Sequence, residues 1–110
     1  MRLSLTLPPD SSAPGRARTA VRAFSLGLSP GVLANAQLVL CELVTAAVQA
    51  GPAKDMRVQL ELLPGGRLRG EVAGAAAPRG NDHLGLRVVQ ELTSAWGVDA
   101  GAARLWFELG

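Results

Sequence analysis

The apolar run "CELVTAAVQAG" at residues 41–51 contains a single charged side chain, Glu42, which is the chain's first candidate for a reactive group. A carboxylate is rarely buried without a partner, because removing a charge from water is costly. The next polar side chains in the run are Thr45 and Gln49, and neither is a cation. The role of this carboxylate decides whether the chain is an enzyme.

Metal chemistry has few ligands to draw on in this chain. His83 is the only histidine, so a zinc site built on a histidine pair is excluded within one chain. Cys41 is the only cysteine, which excludes a disulfide framework and a thiolate cluster. Its place in the apolar run predicts a small buried side chain rather than a reactive thiol. We predict no metal site from these residues.

Composition favours one soluble domain over residues 1–110. The chain has 110 residues, 48% of them hydrophobic and 18% charged, which is typical of a globular protein with one core. No apolar run approaches the roughly 20 residues that span a bilayer. Pro8 and Pro9 also interrupt the N-terminus too early for a signal peptide. We therefore predict a cytoplasmic protein without a membrane partner.

The charge pattern argues against a nucleic-acid partner. The formal net charge is only +2, and the arginines are scattered along the chain. Proteins that bind nucleic acids concentrate positive charge in a stripe with exposed aromatic rings, whereas this chain has two Phe and two Trp.

Hydrophobic periodicity predicts alternating strands and helices. The expected elements are a strand at 3–7, a helix from about 14 to 26 with N-caps offered by Asp10, Ser11 and Ser12, a helix from Ser29-Pro30 to about Ala50, a hairpin of strands at 56–62 and 68–72, a loop at 74–82, a helix at 84–95, and strands at 96–98 and 105–109. This order predicts an α+β fold, a two-layer sandwich. A mostly antiparallel or mixed sheet of about five strands is covered on one face by three helices.

The two tryptophans are predicted to have different surroundings. Trp96 follows the third predicted helix and is expected to pack in the core. Trp106 alternates with Leu105 and Phe107 in the last strand, which places it on the far face of the sheet, either exposed or in an interface.

This order of elements, with the segments "CELVTAAVQAG", "HLGLRVVQELTSAWGV" and "RLWFEL", resembles the histidine-kinase-like ATPase domain of bacterial anti-sigma regulatory factors. The resemblance covers residues 3–109 and implies the Bergerat fold of a small ATP-dependent serine kinase. It also implies regulatory protein partners, such as a sigma factor or an anti-anti-sigma-like protein. A homodimer formed through the N-terminal strands and the same sheet is implied as well.

The family's long helix carries Glu-Leu-(Val/Leu)-(Thr/Ala)-Asn-Ala, then a polar or basic pair and Gly. Glu42 matches the glutamate that is thought to activate water or the accepting hydroxyl. Ala46 stands at the asparagine that coordinates Mg²⁺, and Ala50 stands at the usual histidine. Because Mg²⁺ takes oxygen ligands and an alanine methyl supplies none, the metal ligand of the family is missing.

Two further parts of the family's ATP site are also altered. Gly74 stands where the family has an aspartate that accepts a hydrogen bond from the adenine amino group. An amino group left without an acceptor would cost about 1–3 kcal/mol of binding free energy. The family's Gly-x-Gly-Leu phosphate loop corresponds to His83-Leu84-Gly85-Leu86, so its first glycine is lost. Since a glycine at a helix start lets backbone amides approach phosphate, His83 adds bulk there.

The preferred interpretation is a non-catalytic, or nearly non-catalytic, regulatory module that binds a protein partner, with no cofactor expected. Glu42 would then be a vestigial base that forms hydrogen bonds at the core edge or points into a vacated cleft.

Two alternatives remain open. In the first, the chain is an active kinase that binds Mg-ATP through rearranged ligands, with a metal oxygen from Asn81 or Asp82 and a base contact from Thr45. In the second, the cleft lined by Ala46, Ala47 and Ala50 binds another ligand.

Overall fold

The computed structural model describes residues 1–49, 55–74, 84–99 and 104–110; side chains at 84–86 are outside this description. The elements in chain order are β1 (Arg2–Leu7), α1 (Ala13–Val21) with a following 3-10 turn (Arg22–Phe24), α2 (Pro30–Gln49), β2 (Met56–Leu63), β3 (Arg67–Ala73), α3 (Leu84–Leu92), β4 (Ala95–Asp99) and β5 (Arg104–Leu109).

The five strands form one sheet in the order β1-β2-β3-β5-β4, and every neighbouring pair is antiparallel. Because side chains alternate between the two faces of a strand, the register decides which residues share a face. It places Leu5, Val58, Val72, Leu105 and Val98 in one apolar row across all five strands. The predicted α+β class with its five-stranded sheet and three helices is confirmed.

The hydrophobic core lies between this inner face of the sheet and the helices. The strands contribute alternate residues, and α2 packs against α1, α3, β3 and β5. The fully buried larger side chains include Leu7, Val21, Phe24, Val39, Leu40, Leu43, Met56, Leu60, Leu68, Leu105, Phe107 and Leu109. Val39 and Val44 of α2 are also fully buried.

Helix α2 is long and apolar. This 20-residue helix has a mean hydropathy of 1.7 and would be long and apolar enough to cross a membrane, contrary to the sequence prediction. The same features suit the core helix of a globular domain, and seven of its residues are buried against the helices and sheet. Length and hydropathy therefore do not distinguish the two roles.

Two predicted helix ends are wrong. The first α-helix ends at Val21 and continues only as the 3-10 turn, rather than running to residue 26. The third ends at Leu92 rather than at Ala95. Thr93 donates its hydroxyl to the Val89 carbonyl at 2.7 Å, and the Ser94 amide then donates to Glu108 on β5 at 2.9 Å. These bonds turn the chain into β4.

The start of α1 uses Asp10 rather than Ser12 as the hydrogen-bonding side chain. The Asp10 carboxylate accepts bonds from the Ser12 amide at 2.9 Å and the Ser12 hydroxyl at 2.5 Å. Ser12 occupies the N-cap position but forms no side-chain cap bond. The bonds from Ser12 favour the charged carboxylate and lower the pKa of Asp10.

Strands β3 and β5 fit together through a ring placed over a glycine. Gly70 pairs with Phe107, and a Cβ at residue 70 would lie 2.5 Å from Cζ of Phe107 and 3.2 Å from Cδ2 of Leu60. The ring therefore occupies the space that any other residue at position 70 would need.

We expect Gly70→Ala to lower the free energy of unfolding by about 1–3 kcal/mol, because the new methyl overpacks a buried ring. Urea denaturation of the variant and the parent would measure the change. Adding Phe107→Leu should make the double variant less destabilised than the sum of the two single changes. If the two free-energy changes added exactly, the Phe107 ring would not be the cause of the destabilisation by Gly70→Ala.

Candidate functional site at helix α2 and the end of strand β3

Glu42 lies in the middle of α2 and is half-buried. It forms no hydrogen bond or ion pair with any residue that the structure describes. Ala46 follows one helical turn later, and only 2% of its surface is exposed. The two positions of the family's helix motif thus share one side of α2, where a carboxylate stands beside a buried methyl group.

Thr45 has its hydroxyl engaged within the helix. The hydroxyl donates to the Cys41 carbonyl at 2.7 Å, the usual back-bond of a threonine inside a helix. The Thr45 side chain has one hydrogen-bond donor, and this bond uses it. The kinase interpretation had predicted that Thr45 contacts a nucleotide base. Cys41 itself is half-buried, so its prediction as a buried side chain is only partly correct.

Gly74 directly follows β3 and adopts φ +81°, a left-handed conformation that L residues rarely adopt. A Cβ at this position would also lie 3.3 Å from the backbone oxygen of Asp55. An aspartate here would be strained whatever its side chain contacted. The backbone as it stands therefore favours glycine at position 74, where the sequence resemblance predicted a replaced adenine acceptor.

A depression of about 340 Å³ adjoins Gly74, and its lining includes Thr6, Arg57 and Ala73. These three residues are paired across β1, β2 and β3 and lie on the sheet face opposite the apolar row. Glu42 does not line this depression, because α2 covers the other face. The depression beside Gly74 is therefore not a continuation of the surface that carries Glu42.

Several predicted site residues fall outside the described part of the chain. Ala50, Asn81, Asp82 and His83 belong to this group, so their proposed roles stay predictions. Gly85 and Leu86 lie in the first turn of α3, the position expected for a phosphate loop. Within the described ranges, no group of three or more His, Cys, Asp or Glu residues is arranged to hold a metal ion.

The outer face of the sheet carries a charged cluster that sequence reasoning missed. Arg104 on β5 contacts Glu71 at 3.1 Å and Asp99 at 3.5 Å, and Arg69 contacts Glu71 at 3.5 Å and Glu108 at 3.4 Å. The Nε of Arg104 is buried and has no hydrogen-bond partner in the described part of the chain. Alternating charges in "RLRGE" and "RLWFEL" were the available signal, but their pairing depends on the β3–β5 register.

Trp106 lies within this outer cluster, on the face that its alternation predicted. Its indole crosses Gly97 on β4, where a Cβ would lie 2.6 Å from Nε1. The guanidinium of Arg69 stands 4.9 Å from the centroid of the ring, a cation–π contact. Trp96 is half-buried and packs against the core, as the sequence predicted.

Comparison with solved structures finds a likeness to the RsbU and RsbW domains of Rv1364c from Mycobacterium tuberculosis. The TM-score is 0.74 and the sequence identity is 25%, over 99% of this chain and 31% of that chain. No protein-family model and no curated protein matches the chain. The chain thus spans about a third of that longer chain and shares its fold with that part, consistent with a Bergerat-like ATPase fold.

The backbone at Gly74 gives one testable consequence. We expect Gly74→Ala to lower the free energy of unfolding by about 1–2 kcal/mol, since the left-handed conformation disfavours a Cβ. Gly31→Ala is the matched control, because that glycine lies in α2 with open space around it. The control should leave stability unchanged or raise it by up to about 1 kcal/mol. Equal effects in urea denaturation would contradict the argument.

Neutralising Glu42 tests whether its charge supports the fold. We expect Glu42→Gln to change the free energy of unfolding by less than about 0.5 kcal/mol, because the carboxylate has no partner among the described residues. Thermal and urea denaturation would measure this. A loss above about 1.5 kcal/mol would instead indicate a charged hydrogen bond that supports the native state.

Proposed function

We propose that this chain is a regulatory protein-binding module, derived from an anti-sigma-factor serine kinase, that has lost ATP turnover. Its partner would be a regulatory protein such as a sigma factor or an anti-anti-sigma-like protein. Because such partners act in transcription or signalling, the module would work in the cytoplasm. It would bind through its surface and need no nucleotide.

The buried methyl of Ala46 is the observation that carries this proposal. A magnesium ion requires oxygen ligands, and the position that supplies one in the resembled family is here apolar and 2% exposed. The φ of +81° at Gly74 supports the same conclusion for the base end of the site. Both changes affect nucleotide binding, whereas neither disturbs the core or the sheet.

Two likenesses support the choice of a protein partner. The sequence resembles anti-sigma regulatory factors over nearly its whole length. The fold is similar to part of the structure of the RsbU and RsbW domains of Rv1364c. Signalling domains that lose their catalytic ligands can keep a binding surface, because the two depend on different residues. The homodimer implied by the sequence stays a prediction.

A weakly active kinase is the second candidate, and Glu42 is the observation in its favour. A half-buried carboxylate without a partner among the described residues is a feature of catalytic sites as well as of vacated ones. This interpretation requires oxygen ligands from Asn81 or Asp82. The Thr45 hydroxyl donates to the Cys41 carbonyl, so toward a nucleotide base it would act only as an acceptor.

Calorimetric titration with ATP and ADP, with and without Mg²⁺, separates these two functions. We expect no saturable heat up to millimolar nucleotide, a limit that corresponds to about −4 kcal/mol of binding free energy. The protein should be shown to be folded by circular dichroism in the same buffer. Mg-dependent binding that disappears in both Glu42→Ala and Asp82→Ala would contradict the proposal and support the kinase interpretation.

Binding to purified partners tests the positive half of the proposal. Sigma factors and anti-anti-sigma-like proteins from the source genome would be titrated singly against the chain without nucleotide. We expect one of them to bind, and binding should be unaffected by ATP. A partner that binds only when Mg-ATP is present would mean that the nucleotide site still works.

A further inference from the structure

A groove lies between strand β1 and helix α1, and we call it the β1–α1 groove. It is an open depression of about 480 Å³, and its lining consists of Leu5, Ser12, Gly15, Arg16 and Thr19. Leu5 and Arg16 are half-buried, so the groove has an apolar wall on the strand and a cation on the helix. A strand edge on one side of a groove suits the binding of an extended peptide, which adds to the sheet as a further strand.

Strand β1 has an open edge beside this groove, because among the described strands it pairs with β2 alone. The Leu62 amide donates to the Met1 carbonyl at 2.9 Å, which makes these two opposite residues a hydrogen-bonded pair. Bonded and non-bonded pairs alternate along an antiparallel ladder, so the leucines of β1 are bonded to β2 as well. The N–H and C=O groups that point to the open edge belong to the residues between them, Arg2, Ser4 and Thr6.

The excess positive charge of the chain is concentrated on α1, beside the groove. Residues 11–41 contain three arginines and no acidic residue, whereas the rest of the chain has eight basic and nine acidic residues. The three are Arg16, Arg18 and Arg22, on α1 and the 3-10 turn that follows it. They form no ion pair with any residue that the structure describes. This side of the molecule therefore has a positive potential that attracts acidic partners.

Asp10 is the acid nearest to Arg16 in sequence, and it does not neutralise this cation. The two charges sense each other, because bonds from Ser12 and, less strongly, the charge of Arg16 lower the pKa of Asp10. They form no ion pair, since the Asp10 carboxylate is bonded to the amide and the hydroxyl of Ser12. Asp10 also lies beyond the end of β1. The cation at the groove thus stays available to an acidic group from outside the chain.

We propose that the β1–α1 groove binds an extended acidic segment of a partner protein, which adds to β1 as a further strand of the sheet. This inference rests on the proposed function, because it assigns the surface and the chemistry by which the module would recognise its partner. The backbone of the segment would bond to the edge-facing groups of β1. Since side chains alternate, a residue opposite Leu5 would point to the helix side of the sheet. An acidic side chain at that position would lie beside Arg16.

Charge favours an acidic segment over a second copy of the chain as the occupant. Pairing β1 with another β1 would bring Arg2 and Arg16 of both copies to one joint edge, and like charges on neighbouring strands repel. The side chain of Arg2 is 83% exposed, so an acid on the added strand could reach it. The row of backbone donors and acceptors favours a peptide over other anionic surfaces, such as a nucleic acid or a bilayer, which cannot extend a sheet.

Fluorescence polarisation at low salt, with a labelled peptide that alternates Glu with Thr, tests the proposal. We expect saturable binding below about 1 mM peptide, and at least about tenfold weaker binding of the matched peptide that has Gln in place of Glu. Binding should weaken as salt is raised, because screening reduces the attraction between exposed charges. Equal binding of the two peptides, or no binding of the Glu peptide, would overturn the proposal.

Two variants separate the charge from the strand addition. Arg16→Gln removes the cation, and Ser4→Pro removes one edge-facing N–H while leaving the bonds to β2 in place. We expect each to weaken binding of the Glu peptide by at least about tenfold. Arg87→Gln is the matched control for the loss of one exposed charge, since Arg87 lies on α3, and it should bind like the parent. Unfolding curves would establish that the variants are folded. Unchanged binding to either test variant would overturn the proposal.

Amide hydrogen exchange identifies the edge that the peptide occupies without any substitution. We expect the amides of Arg2, Ser4 and Thr6 to gain protection when the Glu peptide is added, while those of Ala95–Asp99 do not change. Protection of β4 instead of β1 would overturn the proposal. So would protection of β1 that rises with protein concentration in the absence of peptide, because a second copy would then be the occupant.

Titration of the sigma factors and anti-anti-sigma-like proteins against Arg16→Gln distinguishes a failure of this inference from a failure of the proposed function. A partner that binds the parent and Arg16→Gln equally well would overturn the inference and leave the proposed function in place. If none of these proteins binds the parent while the Glu peptide does, the proposed function fails and the assignment of the groove stands.

Discussion

The ring of Phe107 lies over Gly70, where a side chain on β3 would otherwise stand. Because only one register brings the ring over the glycine, this contact is a constraint on how β3 and β5 pair. The same strand β5 places Trp106 over Gly97 on the other face of the sheet. One strand thus carries two aromatic rings, and each fills the space above a glycine in a neighbouring strand. The core on one face and the charged cluster on the other both depend on this arrangement.

The two sides of the sheet differ in whether their half-buried charged side chains are paired. The outer face brings Arg69, Glu71 and Arg104 into a half-buried network, in which each charge has an opposite charge within 3.5 Å. Such networks hold side chains in fixed positions more effectively than isolated surface pairs do. On the helix side, Glu42 has no such neighbour among the described residues. Among the described residues, Glu42 is therefore a local exception, since the other half-buried acids there have ionic partners.

Local sequence was sufficient for most of the elements and for the class of fold. The hairpin at Pro64-Gly65-Gly66 was predictable because its turn requires positive φ angles, which glycine adopts and other residues avoid. Gly65 and Gly66 adopt φ +80° and +74°. The end of α3 was not, since it depends on bonds from Thr93 and Ser94, one of which reaches β5. For the same reason the outer charged cluster was missed: its members on β3 precede those on β4 and β5 by 28–39 residues, and the two groups meet only through strand pairing. At the site, sequence identified Ala46 and Gly74 but could not give their burial or backbone conformation.

The geometry at Gly74 limits which residues this position can accept. An aspartate at this position needs a backbone that accepts a Cβ, whereas here φ is +81° and the Asp55 carbonyl stands 3.3 Å from the Cβ position. An aspartate at this position would therefore require movement of the chain after β3 as well as a substitution. At position 46 an asparagine would have to place its amide where only 2% of the Ala46 surface is exposed. Both positions thus favour the small residue that the sequence has there. A surface that binds a protein faces no such constraint, since its side chains can vary without moving the core.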